Sequence, residues 1–238
     1  MPQGRGSGTR DHSTFDLKIS LRQRMLADIA RDPYRDPRLA PIVLEAYGGS
    51  GAIYAKVYGP RRLLDPELPQ LDLLPPIREG VVIERDPAKV DRLAHVRPQW
   101  AVYQGDTPLL LEQGLGGHLA CDLWDIDPYG ESLTTISALL ASAAGGLRPK
   151  PQTVWIAVND GARQALRRRA AAVWEASYLP KQIVDRYGTS LEMNYLEVVQ
   201  EIVEALAEPA GYRMAHFEGY YCGHVLQNTH FWLRLAQQ

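Results

Sequence analysis

Apolar residues recur along this chain in two rhythms, and the switch between them outlines the fold. Leu17, Leu21, Met25 and Ile29 return every fourth residue, which predicts a helix over 17–31. The prolines of DPYRDPRLAP end it. Short β-like runs then appear at IVLEA (42–46), GVVIE (80–84), WAVYQ (100–104), LACDLWDI (119–126) and TVWIAV (153–158). Helical candidates at 51–59, 87–95, 107–113, 132–144 and 161–176 alternate with them. Strand, helix, strand, helix predicts an α/β protein, a mostly parallel sheet with helices on both faces. A long helix over 190–207 follows. GYRMAHFEGYY and VLQNTHFWLRLA then predict an antiparallel C-terminal hairpin at one sheet edge.

Two stretches lie outside this alternation. Residues 1–16 are polar and aperiodic, the pattern of a flexible tail. The proline-rich segment 61–79 is long for a connection and predicts an inserted surface loop with some apolar packing. No internal repeat divides the remainder, so 17–238 is expected to be a single domain.

Composition narrows the function. The chain of 238 residues is 45% hydrophobic and 23% charged, the balance of a globular protein with a sizeable core. No apolar run approaches bilayer length, and MPQGRGSGTRDHS lacks the apolar centre of a secretory signal. Two cysteines, Cys121 and Cys222, are too few for a disulfide framework or a structural zinc site. A reducing cytoplasm is the expected compartment, with no membrane partner. A net charge of −2 and a pI of 6.3 mean that a nucleic-acid role would rest on a local patch.

The candidate chemistry gathers at predicted strand ends. VLEAYGGSGAIYAKVYG places Glu45 at the end of one strand and Gly48, Gly49 and Gly51 in the turn after it. Such a turn lets backbone approach a ligand at the carboxyl edge of the sheet. A dinucleotide fingerprint fails on spacing, because Tyr54 stands where its third glycine belongs. Glu84 ends the next strand and is placed to accept both hydroxyls of a ribose. Asp86, before Pro87, reads as a helix cap. Asp106 reads equally as a cap and as a neighbour of an adenine. Asp127 ends the fourth strand, within ACDLWDIDPYGES. A ring of such carboxylates suits a cationic, hydroxyl-bearing ligand such as S-adenosylmethionine.

This order of motifs resembles class I S-adenosylmethionine-dependent methyltransferases. DIDPYGES is similar to the aspartate-rich motif of the tRNA guanine-N2 dimethyltransferases, with tyrosine at the usual phenylalanine, and VLEAYGGSGAIYAKVYG is similar to that family's glycine motif, with Glu45 at the usual aspartate. VNDGARQAL (158–166) and NTHFWLRLA (228–236) are weaker echoes. The resemblance implies a Rossmann-like fold with a seven-stranded sheet. It implies that S-adenosylmethionine is held by Glu45, Tyr47, Gly48, Gly49, Gly51, Glu84, Arg85, Asp106, Thr107 and Asp125. Asp127, Pro128 and Tyr129 would form the catalytic motif. Asp127 and the Pro128 carbonyl would accept the N–H groups of an exocyclic amine, and Tyr129 would stack on the base, a contact of about 1–3 kcal/mol.

Gly130 and the basic run holding Arg163 and Arg167 would meet the substrate, RNA in the first instance. DNA adenine or cytosine amines, and a non-catalytic binding subunit, are the alternatives. The run reads equally as a solvated helix face. Alternation puts Asp125 on the face of Asp127 and Asp122 on the other, where it would pair with a neighbouring helix. A metal is not implied, since no histidine stands at ligand spacing. A homo-oligomer or accessory-subunit role stays open.

Overall fold

The computed structural model describes residues 12–36, 38–59, 67, 69–77, 79–163, 166, 180–223 and 226–238. The five predicted parallel strands form as β1 Val43–Ala46, β2 Gly80–Glu84, β3 Ala101–Gln104, β4 Leu123–Ile126 and β5 Thr153–Asp160. The C-terminal hairpin supplies β6 Tyr212–Cys222 and β7 Asn228–Gln237. The sheet order is β3-β2-β1-β4-β5-β7-β6. β7 runs antiparallel to both β5 and β6, so it alone opposes the other six strands. The chain winds outward from β1 to β3 on one side and from β4 on the other. The carboxyl ends of β1 and β4 are therefore the topological switch point, where open α/β sheets bind ligands.

The near-continuous apolar strands follow from burial on both faces. Alternate residues of each strand pack against different partners. Leu44, Ile83, Trp124, Ile126 and Ile156 face α4 (Leu133–Ala144) and α6 (Tyr195–Ala207). Val43, Val82, Leu123, Trp155 and Trp232 face α1 (His12–Arg31) through Leu21, Met25, Leu26 and Ile29. The helix predicted from Leu17 thus starts at His12, so 12–16 are helical rather than tail. The helix predicted from Ser190 starts at Tyr195, after a 3-10 turn at Gly188–Ser190.

Two caps appear where the sequence places them. Asp86 accepts from the Ala88 amide at 3.0 Å to start α2 (Pro87–Val96), and Asp106 accepts from the Leu109 amide at 3.4 Å to start α3 (Thr107–Glu112). The helix expected over 51–59 takes a wider π form at Tyr54–Tyr58, closed by Gly59 N–H donating to the Tyr54 carbonyl at 2.6 Å. Most of the helix expected over 161–176, and residues 61–66, 68 and 78 of the 61–79 loop, lie outside the described residues. Within that loop, Leu71, Leu74 and Ile77 are buried in the α1-side core. α5 spans Lys181–Tyr187. Among the described residues no helix is long and apolar enough to cross a membrane.

Candidate active site

A cleft of about 1530 Å³ opens over the carboxyl ends of the central strands. Its first wall is the turn after β1. Tyr47, Gly49 and Gly51 all have positive φ, at 77°, 54° and 76°. Gly48 is required by packing, since a Cβ there would lie 2.4 Å from Val82 Cγ2. A non-glycine residue held at positive φ is uncommon, and the Tyr47 hydroxyl is anchored on Thr135 Oγ1 at 2.7 Å. The turn is tied to β2 by Glu84, whose Oε2 accepts from the Gly49 amide at 2.7 Å. Glu84 Oε1 accepts from the Arg85 and Asp86 amides at 2.8 and 2.9 Å. A carboxylate offers about four acceptor directions, so three are filled and one is left for a ligand hydroxyl. Arg85, Asp106 and Thr107 continue this wall.

The floor departs from the expected ring of free carboxylates. Glu45 and Asp125 are register partners on β1 and β4, and each is paired with a buried arginine. Asp125 is wholly buried, gripped by the Nε of Arg22 at 2.6 Å, by its Nη2, and by the Tyr58 hydroxyl at 2.6 Å. Glu45 accepts from Nη1 of Arg97, a side chain stacked 4.2 Å from the Tyr54 ring centroid and 5.0 Å from that of Trp100. Burial pushes the Glu45 carboxyl up to about 7, against the opposing pull of Arg97. Glu45 and Asp125 do line the cleft, but not as free carboxylates: their charges are answered by Arg97 and Arg22. Gly51 lies beneath the turn against Arg97 and Leu93 rather than in the cleft wall.

The second wall is the DPYG loop. Asp127 is 21% exposed and receives Lys18 Nζ at 2.8 and 3.1 Å on its two oxygens, with Asn159 Nδ2 at 2.7 Å. Pro128 and Gly130 border the cleft beside it, and Tyr129 projects fully into solvent. The loop is fastened from below. Gly161 N–H donates to the Gly130 carbonyl at 2.8 Å. Buried Asp160 accepts from the Ser132 amide and hydroxyl at 2.8 and 2.5 Å, the Ala162 amide at 2.7 Å and the Tyr195 hydroxyl at 3.2 Å. Behind Asn159, its cross-strand partner His230 is wholly buried. Burial, with Arg22 and Lys18 nearby, pushes that imidazole down to about 3 and keeps it neutral.

Two further expectations change. Arg163 is 7% exposed and lies under Tyr221, donating to the Glu192 and Leu226 carbonyls and pairing with the Glu192 carboxylate at 3.3 Å. It holds the hairpin turn and is not available to phosphates; Arg167 lies outside the described residues. Asp122 accepts from the Ile42 amide at 2.8 Å and meets Arg35 at 3.6 Å, so it secures the segment after α1, not a helix. Burial pushes its carboxyl up to about 6.

Sequence reasoning missed Lys18, Arg22, Tyr58, Arg97, Asn159 and Asp160. A signal existed for two of them. Lys18 and Arg22 are four apart and continue the stripe of Met25 and Ile29, which puts two cations on the face that the helix buries. A buried cation needs an acid, and the sequence offers DLWDID.

No protein-family model and no curated protein matches the sequence. Solved structures do. The N-methyltransferase NodS from Bradyrhizobium japonicum WM9 is similar at a TM-score of 0.51 and 12% identity, covering 96% of this chain and 99% of that one. A hemolysin candidate from Streptococcus thermophilus is similar at 0.50 and 14% identity, covering 98% and 70%. At such identities the likeness is one of fold. The chain has the Rossmann-like fold of class I methyltransferases, a seven-stranded mixed sheet with an antiparallel C-terminal hairpin.

Proposed function

We propose that the protein is an S-adenosylmethionine-dependent N-methyltransferase acting on an exocyclic amino group of a nucleic-acid base, with RNA the first acceptor to test. The observation that carries the reading is Asp127. It stands at the switch point, oriented by Asn159 and Lys18, beside a solvent-open aromatic ring and facing the glycine turn across one cleft.

The residues of the first wall fit the cofactor. Close backbone approach is available at Gly49, one acceptor direction is left on Glu84, and Asp106 and Thr107 stand beyond it. When bound there, S-adenosylmethionine would supply a methyl group on a positively charged sulfur. The protein's own part is positioning. Asp127 has three acceptor directions filled, by Lys18 twice and Asn159 once, which leaves one for an N–H of the incoming amine. The Pro128 carbonyl would accept the other N–H. Accepting these hydrogen bonds holds the amine with its lone pair toward the cleft interior, a contribution of orientation more than of acid–base chemistry. Tyr129 offers a ring face to a planar acceptor.

A second reading has its own support. Leaving aside Glu45 and Asp125, which are paired with buried arginines, five carboxylates line the cleft (Glu84, Asp86, Asp106, Asp127 and Glu131) against Lys18, Lys56 and Arg85. That wall repels phosphates and favours a small neutral amine, or a single base inserted alone, over a polyanion lying in the cleft. Transfer of radiolabelled methyl to RNA, DNA, protein and small-amine pools separates these acceptors. Labelling of RNA that is abolished by Asp127→Ala is the expected result. Undiminished labelling by that variant contradicts the role of Asp127, and no labelling of any pool contradicts the enzyme reading.

A further inference from the structure

The N-terminal helix reaches into the site. Thr14, Phe15 and Lys18, from the first turns of α1, line the cleft, and Lys18 bridges both oxygens of Asp127. The backbone that carries Lys18 is fixed. Arg22, one turn on, is locked to Asp125 and donates to the Lys18 carbonyl at 3.2 Å, while the Tyr220 hydroxyl donates to the Leu17 carbonyl at 2.8 Å. The ammonium is therefore a tethered cation, present at the carboxylate at a high effective concentration.

We propose that Lys18 is a specificity-determining residue: by occupying Asp127 with a tethered ammonium it closes the site to protonated alkylamines and leaves it open to neutral amines. The inference rests on the reading of Asp127 as the acceptor site. Its physics is a difference between two ligands. An alkylammonium, the form an aliphatic amine takes at neutral pH, must displace Lys18 or meet its like charge. A neutral amino group attached to an unsaturated ring brings no charge and needs only the one acceptor direction that Lys18 and Asn159 leave. The neutral pair also keeps an uncompensated carboxylate from attracting amines that carry no free lone pair and so block the site without reacting.

The test uses butylammonium as the probe and the Asn159 side-chain amide, which touches Asp127, as the nuclear magnetic resonance reporter. Wild-type protein and Lys18→Arg are expected to show no saturable shift of that signal. Lys18→Met is expected to show one, with affinity on the order of tenfold or more above wild type. The shift should vanish in Lys18→Met/Asp127→Asn. Saturation of the wild-type signal overturns the proposal without any variant. So does a Lys18→Met protein that melts like wild type yet gains no affinity, or a Lys18→Arg protein that gains as much. Binding of S-adenosylmethionine is measured on the same samples. Its absence would sink the methyltransferase reading, while the butylammonium titration still decides the role of Lys18.

Discussion

Asp125 and Asp127 are the same residue type, two positions apart, one within β4 and one just past its end, and their surroundings are opposite. Asp125 is wholly buried and gripped by Arg22 and Tyr58. Asp127, about 7 Å further along the chain, is part-exposed and held by a lysine and an amide. The same division runs across the sheet. Glu45 on the floor answers Arg97, while Glu84 at the rim ties backbone amides and keeps one direction open. Floor acids are spent on buried arginines, and the proposed function gives the rim acids to the ligand. The boundary between them is where the strands end.

The sharpest way to break that division is at the floor. Arg22→Met leaves Asp125 buried without its cation, and an unpaired buried charge costs about 3–5 kcal/mol. Urea unfolding should show a loss of that size, with Arg22→Met/Asp125→Asn regaining part of it. An Arg22→Met protein as stable as wild type would place Asp125 among the rim acids. At the rim, Asp127→Ala should leave the unfolding midpoint nearly unchanged and reduce methyl transfer about 100-fold or more, the scale of a lost positioning contact. A comparable loss of stability there would erase the contrast.

A smaller effect sharpens the comparison through pH. Glu45 is raised by burial from 4.5 to about 7 in the folded state, so folding favours its protonated form. Its contribution to stability is complete below about pH 4.5 and is lost as pH rises toward 7. Relative to Glu45→Gln, wild type should lose about 3 kcal/mol across that window and stay level above it. A flat difference would mean that Arg97 fully offsets the burial of Glu45. His230, lowered from 6.5 to about 3, acts with the opposite sign. Its contribution is present above 6.5 and falls away as pH drops toward 3, in both proteins alike.

The order of strands and helices was legible because each element obeys a local rule. Apolar runs mark strands buried on both faces, and Asp86-Pro87 and Asp106-Thr107-Pro108 cap the helices after β2 and β3. The rim was legible for a related reason: Glu84 and Asp127 sit where a run of apolar residues stops, and stopping is visible in one dimension. The floor was not. Arg22 meets Asp125 across 103 residues and Arg97 meets Glu45 across 52, so nothing near either acid announces its partner. Arg163 misled in the reverse sense. In a run of arginines it reads as solvated and basic, yet the hairpin folds back and buries it under Tyr221.

The central claim is that this cleft holds S-adenosylmethionine between the glycine turn and Asp127, and calorimetric titration of the cofactor into the purified protein tests it most directly. The account predicts one-to-one binding of S-adenosylmethionine and of S-adenosylhomocysteine. It further predicts that Glu84→Gln weakens both by about tenfold, the loss of one charge-assisted hydrogen bond, while Arg163→Ala leaves both unchanged. No heat of binding for either ligand, or binding indifferent to Glu84→Gln, would contradict it.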